Sequence, residues 1–185
     1  RFRMVATGRP GHASRPHDGN AVVRLARAVA ALGSAALPMH PSRTVEAHLE
    51  GIASSQDAET ARALREVLDP SASESALGRL GLGEEMSNRL RALVRNTASV
   101  TVLNAGQKIN VIPTEATAWV DARLAPGQTA DTFFQEIRPL VGEEIRFEVD
   151  QYSPPLEADI ESPLYQAIAD TVRAHDPGAS LLPAL

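Results

Sequence analysis

The 185-residue sequence contains no cysteine, and aromatic side chains make up only 4% of it. The absence of cysteine excludes disulfide bonds and thiolate metal ligands, and it leaves the redox compartment open. No apolar run approaches the roughly 18 residues that a membrane-spanning helix requires, and no signal peptide is visible. We therefore expect a cytoplasmic domain that has no membrane partner.

Acidic residues outnumber basic ones, 23 to 18, which gives the chain a formal net charge of −5. Proteins that bind nucleic acids need a basic surface to displace counterions, so this composition argues against a nucleic-acid partner. Apolar residues make up 43% of the chain, which is enough for a hydrophobic core.

Neither end of the sequence has the polar character that is usual for a natural terminus. Residues 2–7 already alternate in the manner of a strand, and the sequence closes on the apolar run 181–185. Natural termini are usually polar and frayed. We therefore expect the sequence to be part of a larger protein.

Apolar periodicity predicts four strands and two helices in a recognisable order. Ala118, Val120 and Ala122 share one face of a strand, and Val22 and Leu25 begin an apolar stripe at helical spacing. The strands are predicted at residues 2–7, 99–103, 116–124 and 145–149, and the helices between Asn20 and Gly33 and after Thr129, where Pro139 should end or kink the second helix. The order indicates an α+β fold, a ferredoxin-like βαββαβ antiparallel sheet with two helices on one face.

Residues 40–98 interrupt this unit with three candidate helices and no evident strand, so we interpret them as a helical insertion. The ferredoxin-like unit then comprises residues 1–39 and 99–153. Residues 154–185 include a further helix capped by Ser162, and we expect this segment to pack elsewhere.

The first candidate for chemistry is the loop from Gly8 to Pro16, in which Gly8 and Gly11 lie close to His12 in the sequence. Glycine lets the backbone approach a ligand closely, and a histidine there could donate a hydrogen bond to a developing oxyanion. The alternative is a solvated surface histidine, which the spacing alone favours. His17 lies in the same loop, but two histidines without carboxylate partners do not make a metal site, so we predict no metal ligands in this chain.

The second candidate is Asn110 together with Arg123. An arginine on a strand face beside a loop asparagine can bind a carboxylate. The alternative is that Arg123 pairs with Asp121 or Glu115 across the sheet surface, and the pattern alone favours this structural interpretation.

Three motifs then occur in the order found in a known enzyme family. Residues 8–14 (GRPGHAS), 104–113 (NAGQKINVIP) and 120–127 (VDARLAPG) resemble the lid motifs of the zinc aminoacylase and carboxypeptidase S family, whose more distant relatives include desuccinylases and deacetylases. The 13-residue spacing from Asn110 to Arg123 also matches that family. The insertion is most similar to the carboxypeptidase S branch.

The resemblance implies a two-domain enzyme that hydrolyses the amide bond of N-acyl amino acids or short peptides. A catalytic domain would hold two zinc ions, and a glutamate would activate the bridging water. The lid would form a homodimer in which His12 stabilises the tetrahedral intermediate in the partner's active site. Asn110 would assist it or hold the substrate, and Arg123 would bind the substrate carboxylate.

This chain lacks the zinc-ligand motifs of that family, so we expect it to be inactive alone and to bind no zinc. Residues 154–185 would begin the return into the catalytic domain. The alternative is a stand-alone ferredoxin-like binding or oligomerisation module without a catalytic role, because this fold supports many functions.

Overall fold

A computed structural model describes residues 1–184 of the chain. Within these residues the strands are β1 (Phe2–Thr7), β2 (Gly11–His12), β3 (Thr97–Ala105), β4 (Val111–Ile112), β5 (Glu115–Arg123) and β6 (Ile145–Val149). The helices are α1 (Ala21–Ser34), α2 (Arg43–Ala53), α3 (Ala58–Glu66), α4 (Ser73–Leu80), α5 (Gly83–Val94), α6 (Ala130–Val141) and α7 (Pro163–His175).

Four of the strands form an antiparallel sheet in the order β3–β5–β1–β6. The register between β1 and β5 pairs Phe2 with Val120 and Thr7 with Glu115. With α1 after β1 and α6 after β5, this order is that of the ferredoxin-like βαββαβ unit. The predicted α+β fold class is confirmed.

Helices α1 and α6 supply side chains to one core that also contains the buried face of the sheet. Met4 and Ala118 on the sheet, Leu25 on α1 and Phe133 on α6 are almost completely buried. The rings of Phe2 and Phe133 meet edge to face with their centroids 5.9 Å apart. Burying a large apolar side chain contributes about 1.5–3 kcal/mol. The apolar residues that alternate along the strands therefore face this core.

Helix α6 differs from the prediction at Pro139. The helix begins with a capping box between Thr129 and Thr132, and it continues past Pro139 to Val141. A proline removes one backbone donor from a helix, and its cost is largest in the helix interior. Because Pro139 lies in the last turn, it does not end the helix.

The chain divides into two compact units. The sheet unit comprises Arg1–Pro38, Asn96–Leu124 and Gln128–Pro154. The helical unit comprises Met39–Arg95, Ala125–Gly127 and the residues from Pro155 onward.

The helical unit has four helices between residues 43 and 94, whereas the sequence predicted three. They enclose a second core that includes Val45, Leu49 and Val67. The sequence does not reveal α4, because this eight-residue helix has no side-chain cap at Ala72 and its first turn contains two serines, Ser73 and Ser75.

The segment after Pro155 folds back on α2 within the helical unit. The backbone N–H of Thr44 donates to the Glu157 carboxylate at 2.9 Å, and His48 Nδ1 lies 2.7 Å from the carbonyl oxygen of Pro183. The segment therefore contacts helix α2 at Thr44, in the first turn of that helix, and again at His48, one turn later. Leu185, the last residue of the apolar run noted in the sequence, lies outside the described residues.

Candidate functional site

The loop between β1 and α1 is closed at its base by backbone hydrogen bonds. The N–H of Arg9 donates to the carbonyl of Gly19 at 2.9 Å, and the N–H of Gly8 donates to the carbonyl of Thr114 at 2.8 Å. A Cβ at Gly8 would lie 2.2 Å from the Gly19 oxygen. Glycine is therefore required at position 8 for the loop to close in this way.

His12 lies on a short ribbon that the loop forms with the segment before β5. β2 pairs with β4 so that His12 is opposite Val111, and the N–H of Ala13 donates to the carbonyl of Asn110 at 3.0 Å. His12 and Asn110 are both exposed. The ribbon therefore brings the backbones of two predicted site residues together, although they are almost 100 residues apart in the sequence.

The hydrogen bonds around His12 define its tautomer. Nδ1 accepts the backbone N–H of Ser14 at 3.3 Å, and the Ser14 hydroxyl lies 2.8 Å from the same nitrogen. A neutral imidazole whose Nδ1 accepts a hydrogen bond carries its proton on Nε2. Nε2 makes no hydrogen bond to any residue from 1 to 184, so its N–H can donate to another molecule.

Arg123 lies at the other end of β5 from the ribbon. It is the last residue of that strand and pairs with Thr97, whereas β4 precedes the first residue, Glu115. The eight steps from Glu115 to Arg123 correspond to about 26 Å at the usual rise of a strand. The structure therefore does not bring Arg123 together with His12 and Asn110 in one subunit.

The guanidinium of Arg123 contacts the neighbouring carboxylate of Asp121. Nε lies 3.0 Å from Oδ1, and the Arg123 side chain is 77% exposed. Arg1 also contacts Asp121, at 3.4 Å. Arg123 Nη2 also donates to Oδ2 of Asp121 at 3.4 Å. An exposed ion pair of this kind is weak and screened by salt, so it holds Arg123 loosely and leaves the Nη1 donors accessible.

The uncovered face of the sheet carries charges that compensate one another. Arg3 and Arg146 both hydrogen-bond to Glu148, and these hydrogen bonds, that of Arg3 first, hold the pKa of the Glu148 carboxyl below its ordinary value. The Arg3 guanidinium also lies 5.8 Å from the centroid of the Trp119 ring. This face is therefore a network of ion pairs.

Two features of the candidate site are not evident in the sequence. The ribbon of β2 and β4 lies in two segments whose patterns predict a loop and a loop or turn, because two residues are too few to show a period. The second feature is the contact between His12 and Ser14, which lies in the first motif. The serine two residues after the histidine was the available signal, since short polar side chains often hydrogen-bond to a nearby residue.

Neither a metal centre nor a membrane span is evident in the described part of the chain. Residues 1–184 include no group of three or more His, Cys, Asp or Glu side chains placed to hold a metal ion. Among the same residues, no helix combines the length and the apolar character that crossing a bilayer requires. The described residues therefore do not offer a ligand set for a zinc ion.

Comparison with known families agrees with this geometry. Residues 1–147, which include the ribbon and most of the sheet unit, match the family model of the peptidase dimerisation domain. The chain belongs to this family. The resemblance recognised in the three sequence motifs is thereby confirmed.

Two relatives of this peptidase dimerisation domain illustrate its sequence range. The N-fatty-acyl-amino acid synthase/hydrolase PM20D1 of Bos taurus is 28% identical over 184 residues, which are 93% of this chain and 34% of that protein. The probable carboxypeptidase S-like 2 of Dictyostelium discoideum is 34% identical over 68 residues, 37% of this chain and 13% of that protein. The chain thus spans about a third of the length of the first relative and a smaller part of the second.

Two solved structures share the fold. The M20 family metallo-carboxypeptidase Sso-CP2 from Sulfolobus solfataricus superposes with a TM-score of 0.52 at 17% identity, over 98% of this chain and 50% of that chain. The dipeptidase Dug1p from Saccharomyces cerevisiae superposes with a TM-score of 0.50 at 11% identity, over 94% and 39%.

Proposed function

We propose that this chain is the lid and dimerisation segment of a zinc-dependent hydrolase that cleaves the amide bond of N-acyl amino acids or short peptides. The family membership supports a peptidase context, and the named activity of the PM20D1 relative supports an acylated amino acid as substrate. The observation that carries the proposal is the ribbon, which brings the backbones of His12 and Asn110 together and leaves the Nε2 atom of His12 without a partner among residues 1–184.

His12 acts as a hydrogen-bond donor to the oxyanion of the tetrahedral intermediate. Because Ser14 occupies Nδ1, the proton of the neutral imidazole is on Nε2, the nitrogen that is free to donate. Asn110, the residue directly before β4, lies in the same active site, where it assists the oxyanion or holds the substrate. The two residues supply electrostatic stabilisation, and the attacking water belongs to the zinc domain.

His12 and Arg123 serve different active sites of one dimer. In a dipeptide or an N-acyl amino acid, the scissile carbonyl and the carboxylate lie within about two residues of each other at about 3.5 Å per residue, far less than the distance of about 26 Å along β5. One substrate therefore cannot place its oxyanion at His12 and its carboxylate at Arg123 of the same subunit. In a homodimer, one active site takes His12 and Asn110 from one subunit and Arg123 from the other, where Arg123 binds the substrate carboxylate.

The dimer forms through the edge strand β3. This nine-residue strand has no charged residue, and its Leu103 side chain is 56% exposed. The opposite edge, β6, has five residues and carries Arg146 and Glu148, which discourage pairing with another strand. A twofold axis at β3 would bury the same surface on both subunits and would extend the sheet from four to eight strands.

The chain contributes three segments to the whole enzyme. Residues 1–39 and 99–153 are the lid proper, and residues 40–98 are an insertion within it. Residues 154–185 lead into a catalytic domain whose residues hold two zinc ions. The length of the PM20D1 relative, about three times the part matched, supports a further domain of this kind. The isolated chain would then be inactive.

The test is replacement of His12 in the full-length enzyme. His12→Ala should lower kcat by about 10²–10³, the usual effect of removing one oxyanion donor, and should lower kcat/KM equally. His175→Ala is the matched control, because His175 is an exposed histidine at the end of α7. Zinc content and oligomeric state should not change in either variant. A His12→Ala enzyme with wild-type kcat would exclude the proposed role.

A further inference from the structure

His17 lies inside the same loop as His12 and turns its ring back into the loop. Its Nδ1 accepts the backbone N–H of Gly19 at 3.1 Å. Gly19 belongs to the closed base of the loop, where its carbonyl accepts from Arg9. The His17 ring is therefore oriented by the part of the loop that is already fixed.

The other nitrogen of the His17 ring packs beneath the ribbon. A Cβ at Gly11 would lie 3.2 Å from His17 Nε2 and 3.7 Å from the Cδ1 atom of Ile112. Nε2 is shielded from solvent and has no hydrogen-bond partner within residues 1–184. Buried polar atoms without a partner are rare and mark a constraint that packing alone does not explain, since an apolar ring would fill the same space.

We propose that His17 is a positioning residue for His12. Its imidazole spans the loop from the N–H of Gly19 at the base to Gly11, the residue directly before His12, and so supports β2 from beneath. An asparagine could accept from Gly19 but would not reach Gly11, and a leucine would fill the space but could not accept. The inference rests on the proposed role of His12 as an oxyanion donor.

A double-mutant cycle in the full-length enzyme tests this role. His17→Ala should lower kcat by about tenfold or more with little change in KM, because a small displacement of an oxyanion donor acts in the transition state. In a His12→Ala background, His17→Ala should lower kcat no further. Equal losses in both backgrounds, or a wild-type kcat in a folded and dimeric His17→Ala enzyme, would overturn the inference.

Two further variants separate the hydrogen-bond acceptor of His17 from its bulk, and they keep the inference testable if His17→Ala does not fold. His17→Asn keeps the acceptor for Gly19 and should retain more activity than His17→Leu, which keeps only the bulk. The reverse order would contradict the inference.

If His12→Ala itself leaves kcat unchanged, the proposed function fails independently of His17. The His12 ring resonance in NMR spectra of the 185-residue chain then decides the question, since His17→Asn or His17→Ala should shift or split it, and an unchanged resonance would refute positioning.

Discussion

The exposed edge strand β3 gives the most direct structural prediction about assembly. Leu103 is 56% exposed, and fully burying a leucine contributes about 1.5–3 kcal/mol, so burying its exposed half contributes about 0.8–1.7 kcal/mol. A twofold interface contains two copies of Leu103, so together they contribute about 2–3 kcal/mol to the free energy of dimerisation. Leu103→Lys should therefore raise the dimer dissociation constant by about 30- to 150-fold, before any repulsion between the two lysines.

Sedimentation velocity over a range of concentrations measures this change. Val149→Lys is the matched control, because Val149 is 54% exposed and lies on the opposite edge strand, β6. It should leave the dissociation constant unchanged, and both variants should keep the circular dichroism spectrum of the wild type. A Leu103→Lys variant that dimerises as tightly as wild type, or dissociation caused by Val149→Lys instead, would show that β3 is not the interface.

Two other predictions concern charged residues of the sheet unit. In the full-length enzyme, Arg123→Ala should raise KM about 10- to 150-fold for substrates with a free carboxylate and much less for their esters, because a charge-assisted hydrogen bond contributes about 1.5–3 kcal/mol; equal losses for acid and ester would support a structural pairing with Asp121. The hydrogen bonds from Arg3 and Arg146 lower the pKa of Glu148, so they stabilise the fold above the ordinary glutamate pKa of 4.5 and lose this effect as the pH falls through the lowered value. The Tm difference between wild type and Glu148→Gln should therefore be largest near pH 7 and should vanish in strong acid, and a difference that is independent of pH would contradict this assignment.

The fold of the sheet unit could be predicted because its local patterns and its packing agree. Ala118 and Val120 are buried, and they alternate with partly buried residues on the other face of β5, as the period of two predicts. Helix α4 was missed because its burial depends on contacts with α3, which no local pattern records. Local periodicity predicts an element when the element buries one continuous face.

The arrangement of the candidate site could be predicted only in part. The motifs identified His12, Asn110 and Arg123, but their distances depend on the register of β5 against β1 and β3. The sequence contains no local signal for that register, since it arises from the packing of the whole sheet. The roles of Ser14 and His17 likewise depend on how the loop folds back on itself, which the order of residues alone does not reveal.

Complementation between two defective subunits tests the central claim, that His12 and Arg123 of one subunit serve different active sites. The His12→Ala and Arg123→Ala subunits are co-expressed with different tags, the mixed dimer is purified, and its kcat/KM is measured at low substrate concentration. If the claim is correct, one active site of the mixed dimer has both residues intact and the other lacks both, so activity should recover to about half of the wild-type value. If both residues serve the same site, each site of the mixed dimer lacks one of them, and activity should stay at the low level of the two mutant homodimers.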